Sequence, residues 1–404
     1  DFIQTITTKG SMSDYSFDGT VLGQHATVSD PVSGDQTWEK VVSKNLGLDL
    51  NMFNNRLSLT TDFYIRDMKG ILGKGKSLPS IYGASEPQMN ANNLRTKGYE
   101  LVLGWRDSFK LAGSTFSYGI TGTFSDYTAE YTKCDNPTGL IGDPYVGKKY
   151  GEIWGYKVDG LFRNDKEAAE YASRIDLSTV ASGYYTATGA YGKGVRGGDI
   201  KYLDLNGDNI VNGGKGTLDD PGDRRVIGNS SPRYQYGASL NFSWYGFDVS
   251  VFMQGIGRLD WYPGADNLRF WGPYCRPYAT FVPKNFMSQV WSEENPDAYF
   301  PRARAYTSLN SNSGTAYYTN DRYLQNLAYC RLKNLTIGYT IPRRLTSKVG
   351  IKECRIYFSG ENLATWSALK SDFLDPEQAA ADSDKKANVY PWCKTYSIGL
   401  NLTF

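Results

Sequence analysis

A strict two-residue rhythm in the closing stretch YPWCKTYSIGLNLTF, residues 390–404, constrains the fold more than any other feature. From Trp392 the even positions are Trp392, Lys394, Tyr396, Ile398, Leu400, Leu402 and Phe404, while the odd ones are Cys393, Thr395, Ser397, Gly399, Asn401 and Thr403. Successive side chains of a β-strand point to opposite faces, so this segment has an apolar face, broken by one lysine, and a small polar face. The alternation returns at Leu46–Met52, Leu57–Ile65, Tyr99–Trp105, Phe116–Ile120, Tyr234–Trp244, Phe247–Met253 and Leu335–Ile341, and more loosely in RIYFSGENL, 355–363. These segments predict nine strands.

The connections between them run short, long, short, long. FNN at 53–55, SFKLAG at 108–113 and YG at 245–246 are short, with links of about 20, 100 and 65 residues after the strands that follow them. IPRRLTSKVGIKE is of medium length, and about 25 residues lead to the last strand. Sorting of loop lengths to one end is how outer-membrane barrels are built, with short periplasmic turns and long extracellular loops. The fold class predicted is therefore all-β, an antiparallel transmembrane β-barrel, with the first strand running inward and Phe404 ending in the periplasm. A soluble β-sandwich also alternates, but rarely sustains so many stripes of Tyr, Trp and Leu opposite Asn, Ser, Gly and Thr. Nine strands would leave two open edges, and each unpaired backbone group in lipid costs several kcal/mol. An odd number of further strands is expected from elsewhere, since bacterial single-chain barrels have even counts.

Composition is compatible with this reading. Mean hydropathy is −0.48 and no apolar run reaches 18 residues, which excludes a spanning helix but not a barrel strand. The 31 Tyr, 18 Phe and 9 Trp beside 43 Gly suit strands, turns and interfacial aromatic belts. Lys+Arg 44 against Asp+Glu 42 gives a net charge of +2, so no nucleic-acid partner is expected. The five cysteines are scattered and read as free or as at most one bridge, and His25 reads as a surface histidine. The opening DFIQTITTKG has no signal-peptide pattern and is expected to continue a longer chain.

One local motif carries cation chemistry. In DLNGDNIVN, Asp204, Asn206 and Asp208 occupy the first, third and fifth positions of a calcium loop, the Ile210 carbonyl the seventh and Asn212 the ninth. Asn209 replaces the glycine usual at the sixth position, and Lys215 stands where a bidentate Glu belongs, with Asp219, Asp220 or Asp223 as substitutes. Two readings stand: a structural Ca2+ or other divalent ion, or a metal-free loop of Asx turns. No cofactor is otherwise required. The segment RLDWYPGADNLRFWGPYCRPY places Trp261, Tyr262, Phe270, Trp271, Tyr274 and Tyr278 in one long loop. Exposed, they would stack on sugar rings or hold a partner's apolar patch; the alternative is packing of the loop on itself. No nucleophile with a base, histidine pair or phosphate-cradling loop is legible, and Glu293 and Glu294 read as solvated charges, so an enzyme is not expected.

The stretches TWEKVVSKNLGLDLNMFNNRLSLTTDFYIRDMKGIL, NNLRTKGYELVLGW, IWGYKVDGLF, GDIKYLDLNGDNIV, DRRVIGNSSPRYQYGASLNFSWYGFDVSVFMQG, YLQNLAYCRLKNLTIGYTIPRRL, RIYFSGENLATWS and YPWCKTYSIGLNLTF span most of residues 37–404. Together they resemble the C-terminal part of SusC-like TonB-dependent transporters, outer-membrane nutrient importers of Bacteroidetes-type bacteria. The resemblance implies a 22-stranded barrel, with residues 1–36 an extracellular loop, 37–404 barrel strands and loops, and thirteen strands and a plug supplied upstream or by a separate N-terminal chain. It implies a SusD-like surface lipoprotein as lid, energy from the TonB complex, and import of an oligomeric nutrient, more often a glycan than a peptide. It also implies that Phe404, the terminal aromatic, helps the assembly machinery recognise the chain. A surface adhesin or binding module on a β scaffold is the alternative.

Overall fold

A computed structural model describes residues 6–9, 25–28, 33–34, 36–74, 81, 87–186, 194–275, 282–304, 309, 316–371, 373–381 and 390–404. A short antiparallel pair, β1 (Ile6–Lys9) and β2 (His25–Val28), lies within the segment expected as a loop; the His25 side chain is outside the described residues. The main sheet begins with β3 (Lys40–Met52), β4 (Leu57–Lys74), β5 (Gln88–Leu111) and β6 (Ser114–Lys133). The long connection that follows contains β7 (Glu152–Tyr156), β8 (Val158–Leu161), α1 (Asp165–Ala172), α2 (Ser182–Thr186), β9 (Ile200–Tyr202) and β10 (Arg224–Asn229). The chain re-enters the sheet as β11 (Arg233–Trp244) and β12 (Phe247–Arg258), then forms a second large loop with β13 (Asp260–Trp261), α3 (Leu268–Trp271) and β14 (Gln325–Asn326). Strand β15 (Tyr329–Thr340), helix α4 (Arg343–Thr346), β16 (Glu353–Ser367) and β17 (Thr395–Thr403) complete it.

Nine strands pair in the order β3-β4-β5-β6-β11-β12-β15-β16-β17, an antiparallel meander in which each sheet strand bonds to the sheet strand before it. All nine predicted strands are present. Several are longer than their apolar stripes: β5 has 24 residues, against seven in the stripe Tyr99–Trp105. Its N-terminal half, QMNANNLRTKG, is strand but mostly polar, with Met89 and Ala91 on one face and Leu94 on the other, which blurs the periodicity from which a strand is read. The expected link at 108–113 contracts to Ala112–Gly113, with φ of 49° and 83°; Tyr245–Gly246 repeats this at 50° and 84°. Positive φ at both central residues is the two-residue hairpin geometry that follows the strands' twist. The neighbouring turns are tied together by Trp244 Nε1 donating to the Leu111 carbonyl at 3.3 Å and by the Tyr245 hydroxyl donating to the Ala112 carbonyl.

Register aligns the stripes into continuous rows. Trp244, Phe247, Tyr339, Ile356 and Leu400 form one; Tyr118, Phe242, Val249, Ile337, Phe358 and Ile398 a second; and Ile120, Leu240, Val251, Leu335, Gly360 and Tyr396 a third. Between them runs a polar row on the opposite face, Gly119, Asn241, Ser250, Thr336, Ser359 and Ser397. The apolar rows are not covered by protein: Ile398 is 84% exposed, Leu400 57% and Ile337 42%. On the polar face Arg355 grips Asp248 through Nε–Oδ1 at 2.9 Å and Nη2–Oδ2 at 2.5 Å. Gly338 lies beneath this pair, where a Cβ would come within 2.5 Å of Arg355 Nη2 and of Asp248 Oδ1.

Burial is found instead in the loops. Phe162, Leu177, Val180, Tyr202, Val211, Trp271, Tyr323 and Leu327 are completely buried and belong to one core built from the connections after β6 and β12. Two compact units divide the chain: residues 1–45, 64–97 and 128–150 make one, and 46–63, 98–127 and 151–404 the other. Within the first, Arg95 forks onto Asp67 at 2.7 and 3.1 Å, and Lys148 Nζ donates to the carbonyls of Ile141 and Asp143 at 2.8 and 3.1 Å. The second contains the loop core and the rows described above. Among the described residues no helix is long and apolar enough to cross a membrane.

Candidate functional site

The loop core is organised by the aromatic segment 258–274. Asn267 accepts from the Phe270 amide at 2.9 Å and starts α3, which turns Phe270 and Trp271 inward. Their rings meet edge to face at 4.8 Å; Trp271 meets Tyr323 at 5.0 Å, and Tyr274 stacks with Phe300 at 5.8 Å. Every polar tip but one finds a carbonyl: Trp271 Nε1 donates to Gly264 at 3.0 Å, the Tyr274 hydroxyl to Pro301 at 2.5 Å and the Tyr262 hydroxyl to Tyr318 at 3.1 Å. Trp261, on β13, keeps its indole N–H buried without a partner. Burial pushes the Tyr262 and Tyr202 hydroxyls well above their ordinary value, and Tyr299 up to about 12.

Of the two readings of this segment, the described rings follow the packing of the loop on itself. Trp261, Tyr262, Phe270, Trp271 and Tyr274 are all buried, and they pack on one another rather than presenting a stacking surface. The physical reason is that the loop supplies carbonyl partners for most of their polar tips, so burying the rings gains apolar contact at little polar cost. Tyr278 lies outside the described residues.

A buried ion pair closes the same core. Arg304 donates to both Asp199 oxygens, at 2.9 and 2.6 Å, and its guanidinium lies 4.1 Å from the Tyr184 ring centre. Burial raises the Asp199 carboxyl to about 6 against the opposing pull of Arg304. The two residues are 105 apart in the chain, and nothing in either local sequence announces the pairing.

The 204–212 loop passes twice through the left-handed region. Gly207 and Asn209 take φ of 81° and 64°, so Asn209 does adopt the left-handed conformation of the sixth position. Asp204 accepts from the amides of Gly207 and Asn209 at 2.7 and 2.9 Å, Asn206 from Asp208 at 3.0 Å, and Asp208 from Ile210 at 2.8 Å. Asn212 Oδ1 accepts from Gly214 at 2.5 Å. Of the three carboxylates considered as an extra ligand, Asp223 is buried behind the loop, taking the amides of Leu205 and Asn212 at 2.7 and 2.9 Å. Asp223 thus braces the loop by hydrogen bonds. Among the described residues no three His, Cys, Asp or Glu side chains are arranged to hold a metal ion.

The polar face carries two concave regions. A cleft of about 940 Å³ near the short turns is lined by Arg56, Arg106, Asp107, Asn241, Asp248 and Ser250. At the opposite ends of β15 and β16 a groove of about 450 Å³ lies beside a network that the sequence reading missed. Arg331, 2% exposed, donates to Asp375 at 2.8 Å, Glu377 at 2.7 Å and Thr365 at 2.8 Å, and Lys333 also donates to Glu377 at 2.8 Å. The alternation of charge in RLKNL was the available signal; its partners, 44 to 46 residues away, were not legible. No disulfide joins the five cysteines among the described residues, Glu293 and Glu294 lie on exposed loop backbone, and Phe404 is exposed just beyond β17.

No protein-family model matches the chain. It is 25% identical over 415 residues to TonB-dependent receptor P3 of Formosa agariphila, an alignment covering 97% of this chain and 36% of the relative. TonB-dependent receptor SusC of Bacteroides thetaiotaomicron is 22% identical over 376 residues, 91% of this chain and 32% of SusC. The chain therefore spans about a third of the length of the curated relatives it matches. In fold it is similar to the RagAB peptide transporter, with a TM-score of 0.64 at 19% identity over all of this chain and 38% of that one. The closed-closed state of the RagAB peptide importer gives a TM-score of 0.65 at 20% identity. The bare apolar rows, the loop asymmetry and these likenesses agree: the chain is a SusC-like relative of the TonB-dependent receptors, and its nine strands are part of the wall of a bacterial outer-membrane β-barrel.

Proposed function

We propose that the complete protein imports an oligomeric nutrient across the outer membrane, together with a SusD-like surface lipoprotein and with energy from the TonB complex. The observation that carries this reading is the inverted burial of the sheet, three apolar rows bare and a polar row opposite, which suits a wall between lipid and an aqueous lumen. Among the described residues both edges of the sheet, β3 and β17, have no further strand beside them, so this reading requires additional strands to close the barrel. The substrate class we favour is a glycan. The chain supplies wall and loops, and no catalytic role is assigned to it.

The test is isolation of the protein from native outer membranes in mild detergent, followed by mass spectrometry under non-denaturing conditions and uptake of labelled oligomers by energised cells. Co-isolation with a lipoprotein, and uptake abolished by loss of TonB, is the expected result. A protein that arrives alone and supports no energised uptake is an adhesin or binding module instead.

We also propose a structural Ca2+ in the 204–212 loop, held by side-chain oxygens of Asp204, Asn206 and Asp208, the Ile210 carbonyl and Asn212 at the ninth position. The left-handed turns at Gly207 and Asn209 support it. Calorimetric titration of the protein with Ca2+, repeated on Asp204→Ala, tests it; equal heats from both proteins would remove the site.

A further inference from the structure

The groove between β15, β16 and the approach to β17 has the composition of a binding site that the transport reading has not used. It sits on the polar face: Arg331 pairs with Gln254, which continues the unbroken alternation of Asp248, Ser250 and Phe252 along β12, and Thr365 is the partner of Arg331 on β16. Its lining includes Asn362, Thr365, Ser371, Phe373, Trp392 and Lys394. Trp392 is 49% exposed and Phe373 41%, the ring exposure that the segment 258–274 does not provide.

The rings are held in place from behind. The Trp392 amide donates to Asp375 Oδ2 at 3.3 Å, and Lys333 Nζ lies 4.8 Å from the centre of the indole without lining the groove. Asp375 and Glu377 are in turn fixed by Arg331 and Lys333. Two cations and two anions satisfy one another, which leaves Lys394 as the remaining charge in the lining. A cationic ligand would find the carboxylates of this network already paired. Asn362, at φ 51° in an irregularity of β16, gives its amide Nδ2 to the Cys393 carbonyl at 3.2 Å, while its Oδ1 is buried with no hydrogen-bond partner.

We infer that this groove is a subsite for one neutral, hydroxyl-rich ring of an oligosaccharide, stacked on Trp392 and Phe373 and hydrogen-bonded by Thr365 and Ser371. A pyranose offers an apolar C–H face to the aromatic rings and hydroxyls to the polar rim, and about 450 Å³ lies within the usual range of small-molecule sites. The inference rests on the import reading and adds a place in the fold where one ring of its substrate is held.

The test uses the complete protein in native outer-membrane complex and an array of neutral gluco-, galacto-, manno- and xylo-oligosaccharides, with uronic-acid oligosaccharides and short peptides as contrasts. Binding of at least one neutral oligosaccharide is expected, weakened about tenfold or more by Trp392→Ala and by Phe373→Ala, and largely retained by Trp392→Phe. Shifted migration of the unheated barrel on gels verifies that each variant has folded; should Trp392→Ala fail this, Phe373→Ala carries the comparison. Neutral-glycan binding indifferent to these changes overturns the subsite while leaving import intact. Binding of peptides or acidic glycans alone also overturns it. Energised uptake, measured separately in cells, decides the import reading itself.

Discussion

The strand wall and the loop core obey opposite rules of burial within one chain. In the wall, Ile398, Leu400 and Ile337 are 84%, 57% and 42% exposed, whereas in the loops Trp271, Tyr323 and Phe162 are sealed from solvent. The loops behave as an ordinary water-soluble domain, gathering rings inside and donating polar tips to carbonyls. The wall turns the same residue types outward because lipid, not protein, is their partner. Hydrophobicity alone therefore does not say where a side chain goes; the solvent that each region meets does.

The largest effect that would sharpen this contrast is expected from the loop side. Trp271→Ala should destabilise the loop core by about 3–5 kcal/mol through the cavity it leaves. Limited proteolysis of the folded complete protein should then cut within 259–328 while the barrel keeps its unheated gel mobility. Equal resistance to wild type would mean the core is not cooperative.

A charge placed on the wall separates its two faces. Ile337→Arg should cost about 2–4 kcal/mol if the row lies near the bilayer midplane, whereas Thr336→Arg, on the polar face, should cost less than about 1 kcal/mol. Reversible urea unfolding in lipid vesicles measures both, and equal costs would contradict a one-sided lipid face.

A smaller effect, about 1–3 kcal/mol, is expected from Asp223→Ala, which strands the buried amides of Leu205 and Asn212. Hydrogen exchange at those two amides should accelerate while exchange in β11 and β12 stays unchanged.

The smallest is a pH effect confined to the loops. The Asp199 carboxyl is raised to about 6, so between about pH 4 and 6 the folded loops bind a proton that the unfolded chain has released. The contribution of this group to loop stability is fully present below about pH 4 and is lost as pH rises through about 6. Protease resistance of the loops should be greater at pH 5 than at pH 7.5, and Asp199→Asn should flatten that difference.

Nine strands, their order and the asymmetry of their connections were legible from the sequence, because side-chain period and turn chemistry are local properties. The stripe from Tyr396 to Leu402 and the Tyr245–Gly246 turn carry their structural meaning within a few residues. The polar extension of β5 was not legible, since a mostly polar strand leaves little period to detect. Nor could the sequence say whether Trp261, Tyr262, Phe270, Trp271 and Tyr274 are displayed or buried: aromatic residues suit either role. The tertiary structure decided that by bringing Tyr299, Phe300 and Tyr323 against them. It likewise joined Arg304 to Asp199, and Arg331 to Asp375 and Glu377. Alternation is written into neighbouring residues and survives reading one at a time, but which distant charge or ring completes a site depends on how the chain folds back on itself.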